Sequence, residues 1–219
     1  MPLFDTKFYD FGIYPDDPRS IAGIALQAKK YGYSGITIVN MTLDDSIILP
    51  ENFFIYSGVG ITGKSGGIRE EIKKQRGSNI LIVKGGDEDL NRAAVESAGL
   101  DILLQPVEFN NVIAKSAADN SIAIGFDIGS IIRMRGEGRV RELNIMRNNL
   151  KHSRKYELQM ILTSNSHSIY DIRAPREMAA LAGLFGMTEK EAADAMSLTP
   201  LEILKKKKPD YIQEGIEIL

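Results

Sequence analysis

ILIVKGGDEDLNRAAVESAGLDILLQPVEFNNVIAKSAADNSIAIGFDI, residues 80–128, decides the fold. ILIVKG (80–85), DILLQPV (101–107) and IAIGFDI (122–128) are short apolar runs rich in β-branched residues. Between them lie DLNRAAVESAG (89–99) and NNVIAKSAADN (110–120), both with helical spacing of apolar positions. Strands alternating with helices of this length predict βα units on a parallel sheet.

The same alternation runs outward in both directions. FYDFGIY (8–14), GITIVN (35–40) and NFFIYSGVGI (52–61) read as the earlier strands, with QMILTSN (159–165) as the last. SIAGIALQAKKYG (20–32) and GIREEIKKQRG (67–77) read as helices, and a long helix falls within 137–157. After Pro175 the pattern is helical to the end, apart from short connections. The connection 41–51 has no helix of useful length. Right-handed crossovers leave an open doubly wound sheet or a closed barrel. Seven strands are evident where a regular barrel has eight, so a barrel here is a distorted one.

The chain has 219 residues, 43% hydrophobic and 26% charged, which predicts a single α/β domain over 1–219. It contains no cysteine, which excludes disulfides, thiolate metal sites and a cysteine nucleophile. MPLFDTKFYD lacks the layout of a signal peptide, and no apolar run is long enough for a membrane span; the expectation is a cytoplasmic protein with no membrane contact. KKKKP (205–209) reads as lysines closing a helix before a proline.

Three candidate sites stand out. GVGITGKSGG (58–67) fits the phosphate-loop pattern G-x-x-x-x-G-K-[ST] through Gly58, Gly63, Lys64 and Ser65. Against it, Gly66 and Gly67 are expected to delay the helix that must follow at once, and the site comes after the third strand. Asp10, Asp127 and His167 lie at or beyond strand ends, where a barrel holds a metal, and make a thin set. Ser164, His167 and Asp171 include the residue types of a hydrolytic triad without its spacing.

A basic segment adds a fourth candidate: RMRGEGRVRELNIMRNNLKHSRKY (133–156), with eight Lys or Arg against two Glu in a chain of net charge -2. Leu143, Met146 and Leu150 form a helical ridge toward the core. Arg147, Lys151, Arg154 and Lys155 share an adjacent flank. Arg133 and Arg135 are expected in a loop that Gly136 and Gly138 leave mobile, with Arg139 following. Such a stripe suits a nucleic-acid backbone, and equally a solvated amphipathic helix. A second pair, Arg173 and Arg176, flanks Pro175; Arg176 near a helix N-terminus sits against the dipole unless it pairs with Asp171 or Glu177.

NNVIAKSAADNSIAIGFDI (110–128), MILTSNSHSIYDIRAPREMAAL (160–181) and LFGMTEKEAADAMSLTPLEIL (184–204) resemble the archaeal ribonuclease P protein component 3 family. FYDFGIYP (8–15) and GYSGITIVN (32–40) resemble its first two strands. The resemblance implies a distorted TIM-like, PHP-like barrel without the metal site. It implies a protein subunit that supports removal of the 5′ leader from precursor tRNA. The RNA component carries that chemistry with magnesium ions, and the chain itself holds no cofactor or catalytic residue. Its implied partners are ribonuclease P RNA, protein component 2 and the other protein subunits, with precursor tRNA contacted indirectly. The family supplies no compact RNA-contact motif. Arg133, Arg135, Arg139, Arg147, Lys151, Arg154, Lys155, Arg173 and Arg176 are therefore assigned to RNA on charge alone. A phosphate-loop nucleotide hydrolase and a metal-dependent barrel phosphoesterase stay as alternatives.

Overall fold

A computed structural model describes residues 6–44, 47–77, 79–207, 211–213 and 216–217. Seven strands stand side by side in chain order, every neighbouring pair parallel. They are β1 (Phe8–Ile13), β2 (Tyr33–Val39), β3 (Phe54–Ile61), β4 (Ile80–Lys84), β5 (Ile102–Leu104), β6 (Ala123–Asp127) and β7 (Met160–Thr163). Around them run α1 (Ile21–Lys30), α2 (Ser65–Lys74), α3 (Glu88–Val95), α4 (Asn111–Asp119), α5 (Ile128–Arg133) and α6 (Gly136–Lys155). The remaining helices are α7 (Pro175–Ala182), α8 (Glu189–Met196) and α9 (Leu198–Lys206).

Alternation along the strands creates two cores, because successive side chains point to opposite faces. Tyr9, Phe11, Val39, Ile82, Leu104 and Ile161 fill the inside of the ring. A larger apolar layer, including Ile36, Ile38, Val83, Leu103, Ile124 and Leu162, lies between the ring and the helices. Among the described residues no helix bridges β2 and β3; Met41, Leu43 and Ile47 of that connection pack on the outer layer instead.

The ring is nearly closed, as a distorted TIM-like barrel. Among the described residues, β1 is joined to the segment just beyond β7 by an isolated bridge between Ile13 and Ser166, with the Tyr14 N–H donating to the Ser166 carbonyl at 2.8 Å. Side chains complete the seam. The buried Asp10 carboxylate accepts from the Thr163 hydroxyl at 2.7 Å, the Ser164 hydroxyl at 2.5 Å and the Ser164 N–H at 3.1 Å. Gly12 makes this approach possible: a Cβ there would stand 2.2 Å from Thr163 Oγ1.

α9 closes the N-terminal end of the barrel. Its Ile203 joins the inner core, Glu202 accepts from Gln159 just before β7, and Lys207 pairs with Asp101 just before β5 at 2.6 Å. The lysines of 205–207 thus close a helix as expected, and one of them also forms an ion pair that is largely shielded from solvent. Lys208 and Pro209 lie outside the described residues.

Two local expectations fail. The chain is not helical to its end, because β8 (Tyr211–Gln213) and β9 (Ile216–Glu217) pair as an antiparallel ribbon. The stretch with Arg133 and Arg135 is not one loop. The Asp127 side chain accepts from the Ser130 N–H at 3.0 Å and starts α5 directly after β6. Arg133 ends α5, while Gly136 and Gly138 form the first turn of α6, where N–H groups have no helical partner to lose.

Candidate nucleic-acid interface

α6 is 20 residues long, a rod of about 30 Å at 1.5 Å per residue. Met146 and Leu150 are buried and Leu143 is partly buried against the outer core, so the apolar ridge faces inward. Asn149, also buried, donates to the Pro106 carbonyl at 2.9 Å, and Asn148 donates to the Phe109 carbonyl at 2.8 Å. These two bonds fix the helix to the turn that follows β5. The adjacent flank carries the cations Arg147, Lys151, Arg154 and Lys155.

Their surroundings divide them. Arg154 donates twice to Glu191, at 2.7 and 2.8 Å, and once to the Gly186 carbonyl. Glu191 also closes the capping box of α8 with Thr188. The Arg154 guanidinium and the Thr188 bonds outweigh burial and hold the Glu191 carboxyl far below its usual range, at about 2. Arg133 donates to both oxygens of Asp127, at 3.3 and 3.0 Å, and to the Asn165 carbonyl. Both arginines hold helices or strand ends in place. Arg147 donates to Asn144 and the Leu184 carbonyl, Lys155 to Asn111, Arg139 to the Met134 carbonyl, and Arg173 to the Tyr170 and Ile172 carbonyls. All of these acceptors are neutral, and all but the Arg173 bond to Ile172 lie at the exposed surface. Exchanging an exposed bond of this kind for a phosphate costs little.

Arg135, Lys151 and Arg176 are exposed and make no side-chain hydrogen bond or ion pair among the described residues. Arg176 does not use the bland pairings open to it: Asp171 accepts from Ser168 and the His167 N–H, and Glu177 from the Ala174 N–H. Arg141, counted in the basic stretch but left out of the assigned contacts, is exposed in the same way. The signal that includes it is the helical period: residue 141 lies one turn from residues 137 and 144.

The Arg154–Glu191 pair has a pH signature. A carboxyl whose folded pKa is depressed stabilises the fold above its unfolded value, and that contribution is lost as pH falls toward the folded value. Glu191→Gln is therefore expected to lower stability by about 1 kcal/mol at pH 7, through a weakened cap and a lost partly exposed pair. Urea unfolding of variant and parent converges as pH falls from the usual glutamate value of 4.5 toward about 2. A gap unchanged across that range assigns the loss to something other than the charge.

The C-terminal mouth of the barrel holds the other candidates, and it keeps them apart. Asp10 is occupied in the seam. Asp127 is held by Arg133, by Asn165 at 2.7 Å and by the Ser130 N–H. Burial nevertheless pushes both carboxyls above their ordinary value. Burial and the charges of Asp127 and Asp10 push the neighbouring Tyr14 phenol up to about 12. His167 faces Asp16 at 3.2 Å and stacks on Tyr14. Among the described residues no three His, Cys, Asp or Glu side chains stand together as a metal-holding group. The Ser164 hydroxyl is bound to Asp10 and Ser166, not to His167, so no triad forms.

The phosphate-loop reading fails for a different reason from the one the sequence suggests. α2 begins at Ser65, immediately after Lys64, and the glycines do not delay it. However, Gly58 to Ile61 still belong to β3 and pair with Ile80 to Val83 of β4. Asn40 clasps Gly60 by its N–H and carbonyl, at 2.8 and 3.1 Å. A phosphate nest needs those residues curled, with their N–H groups free. Here they are extended and already bonded.

Among the described residues no helix is long and apolar enough to cross a membrane. In fold the chain is similar to one in a cryo-EM structure of archaeal ribonuclease P with mature tRNA, with a TM-score of 0.77, 23% identity and coverage of 95% of this chain and 97% of that one. It is also similar in fold to the barrels of a Xaa-Pro dipeptidase (TM-score 0.66, 7% identity, 92% of this chain and 76% of that one) and of Aspergillus niger ochratoxinase (0.63, 11%, 97% and 75%). In sequence it is 41% identical to ribonuclease P protein component 3 of Methanococcoides burtonii, over 99% of this chain and 95% of that protein. It is 36% identical to the protein of the same name from Methanosarcina mazei, over 97% and 96%. The family model described as RNase P subunit p30 matches residues 7–209, and with full-length relatives at this identity the chain belongs to that family.

Proposed function

We propose that this chain is a protein subunit of ribonuclease P and acts by binding and stabilising the RNA component. The observation that carries this reading is the 41% identity, over nearly the whole of both chains, to a ribonuclease P protein component 3. The exposed cations of α6 and the start of α7 support RNA contact, with Arg135, Lys151 and Arg176 foremost because no acceptor among the described residues competes for them. On this reading the chain holds no cofactor, works in the cytoplasm and supplies no reacting group. Magnesium and the chemistry of 5′-leader removal belong to the RNA. Protein component 2, the other protein subunits and, indirectly, precursor tRNA are its partners.

Reconstitution tests the reading. Precursor tRNA cleavage is measured with the RNA and the remaining subunits, with and without this chain. Adding the chain is expected to raise kcat/KM and to lower the magnesium needed for half-maximal rate, since bound cations replace part of the ionic screening the folded RNA requires. Equal rates and equal magnesium dependence without it would sink the proposal.

A further inference from the structure

SIYDIRAPR (168–176) runs from the loop after β7 into the first turn of α7. Its backbone is held at several points. The Asp171 carboxylate accepts from the His167 N–H at 3.1 Å, and from the Ser168 N–H and hydroxyl, both at 2.9 Å. Ile172 is buried in the outer core. The Arg173 carbonyl accepts from the hydroxyl of the buried Tyr33 at 2.9 Å. Ile169 lies over α1, with its Cγ2 3.6 Å from where a Cβ on Gly23 would stand.

Tyr170 is the exception in this anchored turn. It is 81% exposed, the most exposed aromatic residue among the described ones; Phe54 follows at 52%. Among the described residues its ring stacks on nothing, lies under no cation, and its hydroxyl has no hydrogen-bond partner. His167 in the same turn shows the contrast, because its ring stacks on Tyr14 and faces Asp16. The backbone of Tyr170 is fixed nonetheless: its carbonyl accepts from Arg173 at 2.7 Å. A free ring on a fixed backbone leaves a ligand little loop entropy to remove.

The charge beside the ring is positive. Arg173 stands at the Tyr170 carbonyl, and the exposed Arg176 has no side-chain partner among the described residues. The neighbouring acids are turned to the backbone: Asp171 as above, and Glu177 to the Ala174 N–H at 3.0 Å. An aromatic plane with two guanidinium groups has the parts that hold a nucleotide, since the base stacks on the ring and the cations take phosphates. A tyrosine that anchors a protein partner sits inside a rim of contacts that excludes water. Here the aliphatic neighbour Ile169 is folded onto α1, and no such rim surrounds Tyr170. Paired bases are stacked on one another inside a helix, so the ring suits a base that is unpaired.

We propose that Tyr170 is a stacking platform for an unpaired RNA base, with Arg173 and Arg176 holding the phosphates beside it. The proposal rests on the ribonuclease P reading for the identity of that RNA.

Stacking and charge are separable by salt. Tyr170→Ala is expected to weaken binding of ribonuclease P RNA by about tenfold at every salt concentration, with the parent's slope of log affinity against log salt, because a stacked base releases no counterion. Tyr170→Phe keeps the parent's affinity. Arg176→Ala instead lowers the slope, by about 0.7–0.9. The chain has no tryptophan, so Tyr170→Trp carries a single indole reporter. A base stacked on it quenches its emission when RNA is added. Full-length variants are titrated with the RNA alone and with each purified protein subunit alone, and the melting temperature of each is checked against the parent's. RNA that binds without quenching the indole, together with parent affinity in Tyr170→Ala, overturns the platform and leaves the phosphate contacts standing. Quenching by a protein subunit and not by RNA also overturns it. A parent chain that binds no RNA overturns the RNA reading itself, so the two failures are told apart.

Discussion

Asp10→Ala is expected to lower stability by about 3 kcal/mol and the melting temperature by about 6–12 °C. The loss follows from the seam. Among the described residues one isolated backbone bridge, between Ile13 and Ser166 just beyond β7, closes the ring, and the Asp10 carboxylate supplies the acceptors that ladder bonds between β1 and β7 would otherwise supply. Removing it strands the Ser164 N–H, which cannot turn elsewhere. The two hydroxyls have partial alternatives, in Ser166 at 2.5 Å and the Gly12 carbonyl at 3.4 Å, which keeps the loss below the sum of three orphaned donors. Thermal unfolding of the variant beside the parent measures it, and equal melting temperatures overturn the seam argument.

The pH dependence separates charge from geometry. Burial outweighs the donors around Asp10 and raises its carboxyl above the ordinary 3.8. A raised folded pKa means that the native state holds the proton more tightly than the unfolded chain. Stability then falls as pH rises from the ordinary value through the raised one, and is level beyond it. Asp101 and Asp127 add slopes of the same sign. Asp10→Asn keeps an acceptor for the Ser164 N–H and removes one of the three slopes. The stability difference between parent and Asp10→Asn is therefore expected to change across mild acid and to be constant above it.

Replacing Arg135, Lys151 and Arg176 together by alanine is expected to weaken RNA binding by about two orders of magnitude near physiological salt. Each lost phosphate contact removes about 0.7–0.9 from the slope of log affinity against log salt. Three contacts remove about two to three, and the melting temperature stays near the parent's because these side chains make no bond among the described residues. Arg154→Ala is the contrasting case. It deletes the partner of Glu191 and two bonds that join α6 to α8, so its first effect falls on stability. Filter binding or fluorescence titration at several salt concentrations, with a melt of each variant, reads both quantities. A triple variant with the parent's affinity and slope removes these residues from the interface.

The fold was legible because strand identity is local. Runs such as ILIVK and AIGFD carry their own β preference, and regular helical intervals between them leave few topologies. Lengths shifted: the fifth strand, expected over 101–107, is three residues, because Gln105 turns left-handed at φ 50° and starts the turn that α6 grips. α5 was missed because six residues make less than two turns, too few to show a period. The start of α2 was misplaced because glycine preferences measured inside helices were applied to a first turn. The division among the cations was out of reach. Whether Arg154 or Lys155 is engaged depends on Glu191, 37 residues away, and on Asn111, 44 residues away. Asp10 drew notice as a candidate metal ligand, and it proves to be the residue that joins the first strand to the last.

Chain-order pairing of the seven strands also sets the order of assembly. As the polypeptide leaves the ribosome, each new strand meets the edge of the one made just before it, so every step from β2 to β6 closes only a short loop. The seam is the exception. Asp10 must wait for Thr163 and Ser164, more than 150 residues later, and until then β1 and the newest strand are both open edges. A nascent chain halted before β7 is thus an incomplete sheet with two adhesive margins. The interval between synthesis of β6 and closure at Ser166 is when this protein is most exposed to aggregation and most in need of a chaperone.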